Sequence, residues 1–255
     1  MQRYFVQAEQ LTAHAVEITG EDAHHISHVM RLKPEDRIIV SNGLNREAIA
    51  EIREVQKGLV IADIVEELAM DQEPSVDIWI FQSLPKGDKM ETVIQKGTEL
   101  GATRFVPFQS SRTIVQYDSK KEAKRLERWR KIAKEAAEQA HRGIVPEVAA
   151  LCSWKEMLEM IGQADSALFC YEKERDGGLK KVLELAKERS LESSRKPVIA
   201  VIVGPEGGFT EEETAQAEHA GCYLITLGKR ILRTETAAMA AAACILYEFD
   251  EIGGS

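Results

Sequence analysis

Residues 198–243 read VIAVIVGPEGGFTEEETAQAEHAGCYLITLGKRILRTETAAMAAAA, and this stretch decides the fold. It opens on six apolar residues, 198–203, mostly β-branched and preceded by Pro197. A run of that kind, with no polar alternation, predicts a strand buried on both faces of a parallel sheet. Gly204-Pro205-Glu206-Gly207-Gly208 follows as a turn in which backbone can approach a ligand. Thr210 and Glu213 have the spacing of a capping box, and Gly221 ends the helix they begin. Residues 222–227 predict the next strand, and Gly228 opens a second loop that runs to Arg233. Thr234 is placed to cap an alanine-rich helix. Two glycine loops thus leave one edge of a sheet, where open α/β folds bind ligands.

Outward from there, strands and helices alternate from residue 76. Strands are expected over 76–81, 104–108 and 167–171. Helices are expected over 89–100, 119–141 and 179–189, with a short one capped by Ser153 and Glu156. Residues 191–196 form a polar linker. This alternation implies a parallel sheet, an α/β class domain. The first 70 or so residues differ. Short apolar runs at 3–6, 37–40, 46–52 and 59–64 are separated by tight turns such as Asn42-Gly43 and Lys57-Gly58. They predict a small β-barrel. One helix interrupts it over 21–30 and places His24 and His28 four residues apart. No third ligand or general-base glutamate accompanies the pair, so no metal is expected. With 69–74 as linker, the expected domains are 1–72 and 73–255.

At 255 residues the chain can bury a sizeable core in two domains. Its four cysteines, at 152, 170, 222 and 244, lack C-x-x-C spacing, which predicts reduced thiols and a cytoplasmic location. No signal peptide is expected at the start, and the uncharged apolar run 237–247 is too short to span a membrane. The net charge of −9 is unevenly spread. Residues 84–142 hold 14 Lys and Arg against 8 Asp and Glu, a local +6 that leaves −15 for the remainder. Such a basic surface can bind phosphate while the rest repels polyanions, or it can be a solvated helix face. Both readings stand at this level.

The glycine loops are neither a G-x-G-x-x-G fingerprint nor a P-loop, since no lysine follows Gly208. Spacing alone leaves a small-molecule site and a tight strand-to-helix turn equally open. The residues carry a more specific signal. GPEGGFT (204–210) with LGKRILRTETAA (227–238) closely resembles the paired cofactor loops of RsmE-type uridine-N3 methyltransferases of small-subunit (16S) ribosomal RNA. HHISHVMRL (24–32), KGDKMETVIQKGTELGA (86–102) and RWRKIAKEAAEQAHR (128–142) match further upstream. The resemblance covers almost the whole chain. It implies a trefoil-knotted SPOUT domain behind a PUA-like RNA-binding barrel, with the alanine-rich helix passing through the loop around residues 204–208. It also implies a homodimer that methylates one uracil N3, on the assembled 30S subunit, with S-adenosylmethionine as cofactor. Other activities open to such a chain are ribose 2′-O-methylation of transfer or ribosomal RNA, and non-catalytic RNA binding in ribosome assembly.

On that resemblance, the cofactor candidates are Gly204, Pro205, Glu206, Gly207, Gly208, Leu227, Gly228, Ile231 and Leu232. Backbone groups can read adenine edges where glycine leaves them unobstructed. Tyr171-Glu172 either approaches the same edge or only ends its strand. Uracil N3 is protonated at neutral pH, so transfer needs proton removal and stabilisation of charge on the carbonyl oxygens. Arg233, then Arg230, are the candidates for that charge, and Glu235 for the proton. Each has an alternative, since an arginine can hold phosphate and a glutamate can favour a helix N-terminus. Candidate RNA contacts are Arg3, Arg31, Lys86, Lys89, Lys96, Arg112, Lys124, Arg125, Arg128 and Arg142. Gln95 and Glu99 share a helix with some of them.

Overall fold

The computed structural model describes residues 1–174 and 178–254. It contains two compact units. The first comprises Met1–Glu73 with Lys134–Val145, and the second Pro74–Ala133 with the chain from Pro146 onward.

In the first unit, β1 (Arg3–Phe5), β2 (Ala15–Thr19), β3 (Arg37–Ser41), β4 (Glu47–Gln56) and β5 (Leu59–Leu68) form one sheet in the order β1-β3-β4-β5-β2. Only β1 and β3 pair in parallel. Alternate residues of β4 and β5 turn inward, so Ala48, Ala50, Ile52, Val60 and Ala62 join Val16, Ile18, Ile38 and Val40 in the core. Register shifts at Ile49/Ala50 and Ile52/Glu54 bend the β4–β5 ribbon. The helix expected over 21–30 is α1 (Gly20–His24) followed by a π-helical turn, His25–Val29, which Arg31 ends at φ 54°. There His24 and His28 stack with ring centroids 4.5 Å apart.

Residues 134–145 join this unit through buried ion pairs. Arg3 is 2 % exposed and clasps Glu47, 1 % exposed, through two hydrogen bonds of 2.6 and 2.7 Å. Its Nη1 also donates to the Arg142 carbonyl at 2.6 Å. The Arg142 guanidinium in turn pairs with Glu73, whose Oε1 accepts the N–H of Gly143 at 2.9 Å.

Among the described residues, the second unit holds a parallel sheet of seven strands. These are β6 (Asp77–Ser83), β7 (Arg104–Gln109), β8 (Glu147–Val148), β9 (Cys152–Ser153), β10 (Ser166–Cys170), β11 (Val198–Val203) and β12 (Tyr223–Ile225). Their order is β12-β10-β11-β6-β7-β8, with β9 also beside β7. The six apolar residues of β11 are all buried, between β10 and β6, as an interior strand demands. The helices are α2 (Lys89–Glu99), α3 (Ser119–Gln139), α4 (Trp154–Ile161), α5 (Leu179–Leu191), α6 (Glu211–His219) and α7 (Thr234–Glu248). Both expected capping boxes form, Ser153 with Glu156 and Thr210 with Glu213. On α7, Ala237, Ala238, Ala241 and Ala242 are buried, and the slender helix packs on α2, α5 and β11. Among the described residues no helix is long and apolar enough to cross a membrane.

Candidate active site

β10, β11 and β12 end side by side, and the loops beyond them surround a cavity of about 330 Å³. That volume lies within the roughly 300–1,000 Å³ usual for small-molecule sites. Val203, Ile225, Leu227, Leu232 and Ala237 supply apolar wall, while Glu172, Glu206, Lys229, Arg230 and Thr234 bring polar groups. Gly208, Gly228 and Ile231 complete the two glycine loops around it.

The first loop is held from below by Phe209. This side chain is buried among Phe108, Trp154 and Phe169, with its ring centroid 4.2 Å from that of Phe169. A Cβ on Gly204 would meet that ring at 3.0 Å, so glycine at 204 answers to packing beneath the loop. Gly207 sits against Arg112, whose Nη1 donates to the Gly207 carbonyl at 2.8 Å. Gly204, Pro205 and Gly207 therefore stand behind the cavity wall rather than on it. Gly208 is the glycine that the site requires. Its φ is +66°, and a Cβ there would fall 2.7 Å from a Glu172 carboxylate oxygen inside the cavity. Gly208→Val should therefore raise the Kd for S-adenosylmethionine about tenfold or more in a folded protein, read by calorimetry. Unchanged affinity would remove this loop from the site.

Thr234 does not cap α7, because Arg233 occupies the N-cap position and Thr234 is the first helical residue. The buried Thr234 hydroxyl instead donates to the Gly204 carbonyl at 2.7 Å and accepts the Gln82 amide at 2.8 Å. This bond ties the first loop to the start of the last helix. Glu213 performs a second tie, accepting the Ser111 N–H at 2.7 Å while it closes its own capping box. Sequence reading missed Gln82 and Thr234 as a pair; a glutamine ending an apolar strand was the available signal.

Arg230 lines the cavity, and Arg233 is exposed beside it at the head of α7. Ile231, between them, is 90 % exposed. Glu206 accepts Lys89 Nζ at 2.7 Å and the Lys86 N–H at 3.1 Å. Burial acts to raise its pKa, but these hydrogen bonds outweigh burial and hold the carboxyl below its usual range. The hydrogen bond to Glu206 likewise lifts the Lys89 ammonium above its ordinary value, with Glu235 adding to it and Arg233 opposing it.

The candidate RNA contacts scatter. Arg31, Lys86, Lys96, Arg112, Lys124 and Arg128 are exposed. Lys96 pairs with Glu99 one turn away at 2.8 Å. Arg128 grips Glu91 of α2 through two bonds of 2.6 and 2.7 Å, and Arg125 reaches Glu91 at 3.0 Å and Asp88 at 3.2 Å. Arg3 and Arg142, buried in the first unit, are a correction to the expected list: both guanidinium groups are paired with carboxylates below the surface and offer no face to a phosphate.

An RNA methyltransferase domain model matches residues 72–246, and an RNA methyltransferase PUA domain model matches residues 18–65. Ribosomal RNA small subunit methyltransferase E of Bacillus subtilis is 39% identical over 262 residues, covering 100% of this chain and 99% of that protein. The chain belongs to the ribosomal RNA small subunit methyltransferase E family. The member from Synechocystis is 33% identical over 95% of this chain and 76% of its own length. A crystal structure of the Neisseria gonorrhoeae member, bound to S-adenosyl methionine, superposes with a TM-score of 0.83 at 33% identity, covering 97% of each chain. The fold is accordingly that of the family, a SPOUT methyltransferase domain with a parallel sheet behind a PUA-like domain.

Proposed function

We propose that this chain methylates N3 of one uridine in small-subunit ribosomal RNA, using S-adenosylmethionine, as a cytoplasmic homodimer acting on the 30S subunit. The observation that carries this reading is the cavity between the two glycine loops, in a chain whose relatives are named for small-subunit ribosomal RNA methylation. Its lining suits the cofactor. Apolar wall at Val203, Ile225 and Leu232 fits an adenine face, and the Leu227–Ile231 backbone can read its edge. Glu172 and Glu206 offer carboxylates to an ammonium or a sulfonium. When bound, S-adenosylmethionine supplies an electrophilic methyl group whose sulfur keeps the electron pair of the broken bond.

The remaining work falls to this chain's own residues. Arg233, at the α7 N-cap, steadies the charge that spreads onto the uracil carbonyls, with Arg230 at the cavity rim as its support. Glu235, two residues further on, takes the N3 proton. Ile231 is an apolar side chain standing in the open beside the cavity, and a second copy of the chain would cover it. The slender α7, tied by Thr234 to the Gly204 carbonyl, supports passage of that helix through the loop around residues 204–208.

The test is nucleoside mass spectrometry of small ribosomal subunits after incubation with the protein and S-adenosylmethionine. Methyl on uridine N3 is expected. Methyl on ribose oxygen would replace this reading with 2′-O-methylation, and cofactor binding without transfer would leave a non-catalytic RNA-binding protein. Sedimentation at assay concentration should show a dimer; an active monomer would overturn the assembly. For RNA, Lys124→Gln, Arg125→Gln and Arg128→Gln together should weaken binding and flatten its salt dependence while leaving cofactor affinity alone. An unchanged slope would make this face of α3 only a brace against α2.

A further inference from the structure

Lys89, the first residue of α2, stands between two carboxylates from distant parts of the chain. Its Nζ donates to Glu206 at 2.7 Å and lies 3.7 Å from Glu235 Oε2. The first belongs to the loop beyond β11 and lines the cavity; the second is near the start of α7. That Glu235 oxygen is buried and, among the described residues, has no hydrogen-bond partner. At 3.7 Å the Lys89 ammonium is close enough to attract it and too far to satisfy it. A buried acceptor left in that condition costs free energy, which an arriving donor restores. Uracil N3–H is such a donor.

On sequence, Lys89 counted among the candidate RNA contacts. The geometry points elsewhere, because its one charge already serves two carboxylates. We infer that Lys89 is a positioning residue for catalysis: it anchors Glu206 at the cavity wall and holds Glu235 with one buried oxygen left unpartnered to take the N3 proton. This rests on the N3 reading above. In the step, the N–H proton passes to Glu235 Oε2 and the freed nitrogen pair forms the bond to the methyl carbon. The carbon–sulfur pair stays on sulfur, and the Glu235 carboxyl then releases its proton to water.

The experiment compares Lys89→Met, Lys89→Arg, Glu235→Gln and the Lys89→Met/Glu235→Gln double variant, on small ribosomal subunits in single turnover at saturating cofactor. Lys89→Met should lower the rate about a hundredfold, as loss of placement at a reacting centre does. RNA affinity and its salt slope should stay at the parent values. Lys89→Arg, which keeps the cation, should recover part of the rate. The double variant should be no slower than Glu235→Gln, since the two residues act as one unit. A parent-like rate in Lys89→Met, with a salt slope reduced by about one, would make Lys89 a phosphate contact and overturn the inference. Multiplicative losses in the double variant would overturn it too. If Lys89→Met does not fold, Lys89→Arg and Glu235→Gln decide: equal, parent-like rates in both exclude the role. The position of the methyl group in the parent product separates the failures. Methyl on ribose sinks the N3 reading, whereas methyl on N3 with an indifferent Lys89 sinks only this inference.

Discussion

Arg233→Ala is expected to lower single-turnover methylation by roughly two to three orders of magnitude, the usual effect of removing a donor aimed at developing charge. The side chain is exposed at the N-cap of α7, beside a cavity rim that also carries Arg230. It therefore contributes little to packing, and the variant should melt like the parent. Cofactor affinity should change much less than rate, because the cavity wall is built from apolar side chains and loop backbone. Arg233→Lys should recover only part of the loss, since an ammonium cannot reproduce a planar fork of donors. Assays on small ribosomal subunits, paired with calorimetry for S-adenosylmethionine, check all three points. A near-parental rate in Arg233→Ala would return the residue to phosphate binding or to the capping of α7.

The second large effect is on stability. Arg3→Ala strips a fully buried carboxylate, Glu47, of its bidentate partner and leaves the Arg142 carbonyl without the Arg3 donor. Breaking a buried pair from one side typically costs about 3–5 kcal/mol, because an uncompensated charge stays behind. That is a large part of the roughly 5–15 kcal/mol by which a domain is stable. The urea midpoint of the first unit should fall steeply, and amides of β1, β3 and β4 should exchange faster. Replacing both partners, Arg3→Met with Glu47→Leu, should recover most of the loss, since apolar residues need no compensating charge. A loss below about 1 kcal/mol for Arg3→Ala would mean that water reaches Glu47 and that the pair is not the clasp described.

These two arginines show where sequence reading reaches its limit. Arg3 and Arg233 are both basic residues beside apolar runs, and nothing within a few positions tells them apart. The difference is made 44 residues away, where Glu47 comes opposite Arg3 once β1 pairs with β3 and β3 with β4. Arg128 and Arg125 likewise belong to an evidently basic segment, yet Glu91 on another helix engages both. Charge is legible in a sequence, but its partner is not.

The features legible along the chain are local. Six β-branched and apolar residues make β11 an interior strand, because no face of it can meet water. Ser153 with Glu156 and Thr210 with Glu213 start their helices through bonds that span three residues. The glycine run 204–208 was readable as a turn that backbone could bring close to a ligand, but not that Gly208 is the residue with the positive φ. Long-range packing settled which loop residues face the cavity, that Gly204 yields to the Phe209 ring, and that Thr234 bonds to Gly204 rather than capping its helix. It alone set Lys89 between Glu206 and Glu235. The difference is one of range: capping and strand burial are settled within a few residues, whereas these ion pairs and cavity walls join segments from 34 to 117 residues apart and beyond, which only chain packing brings together.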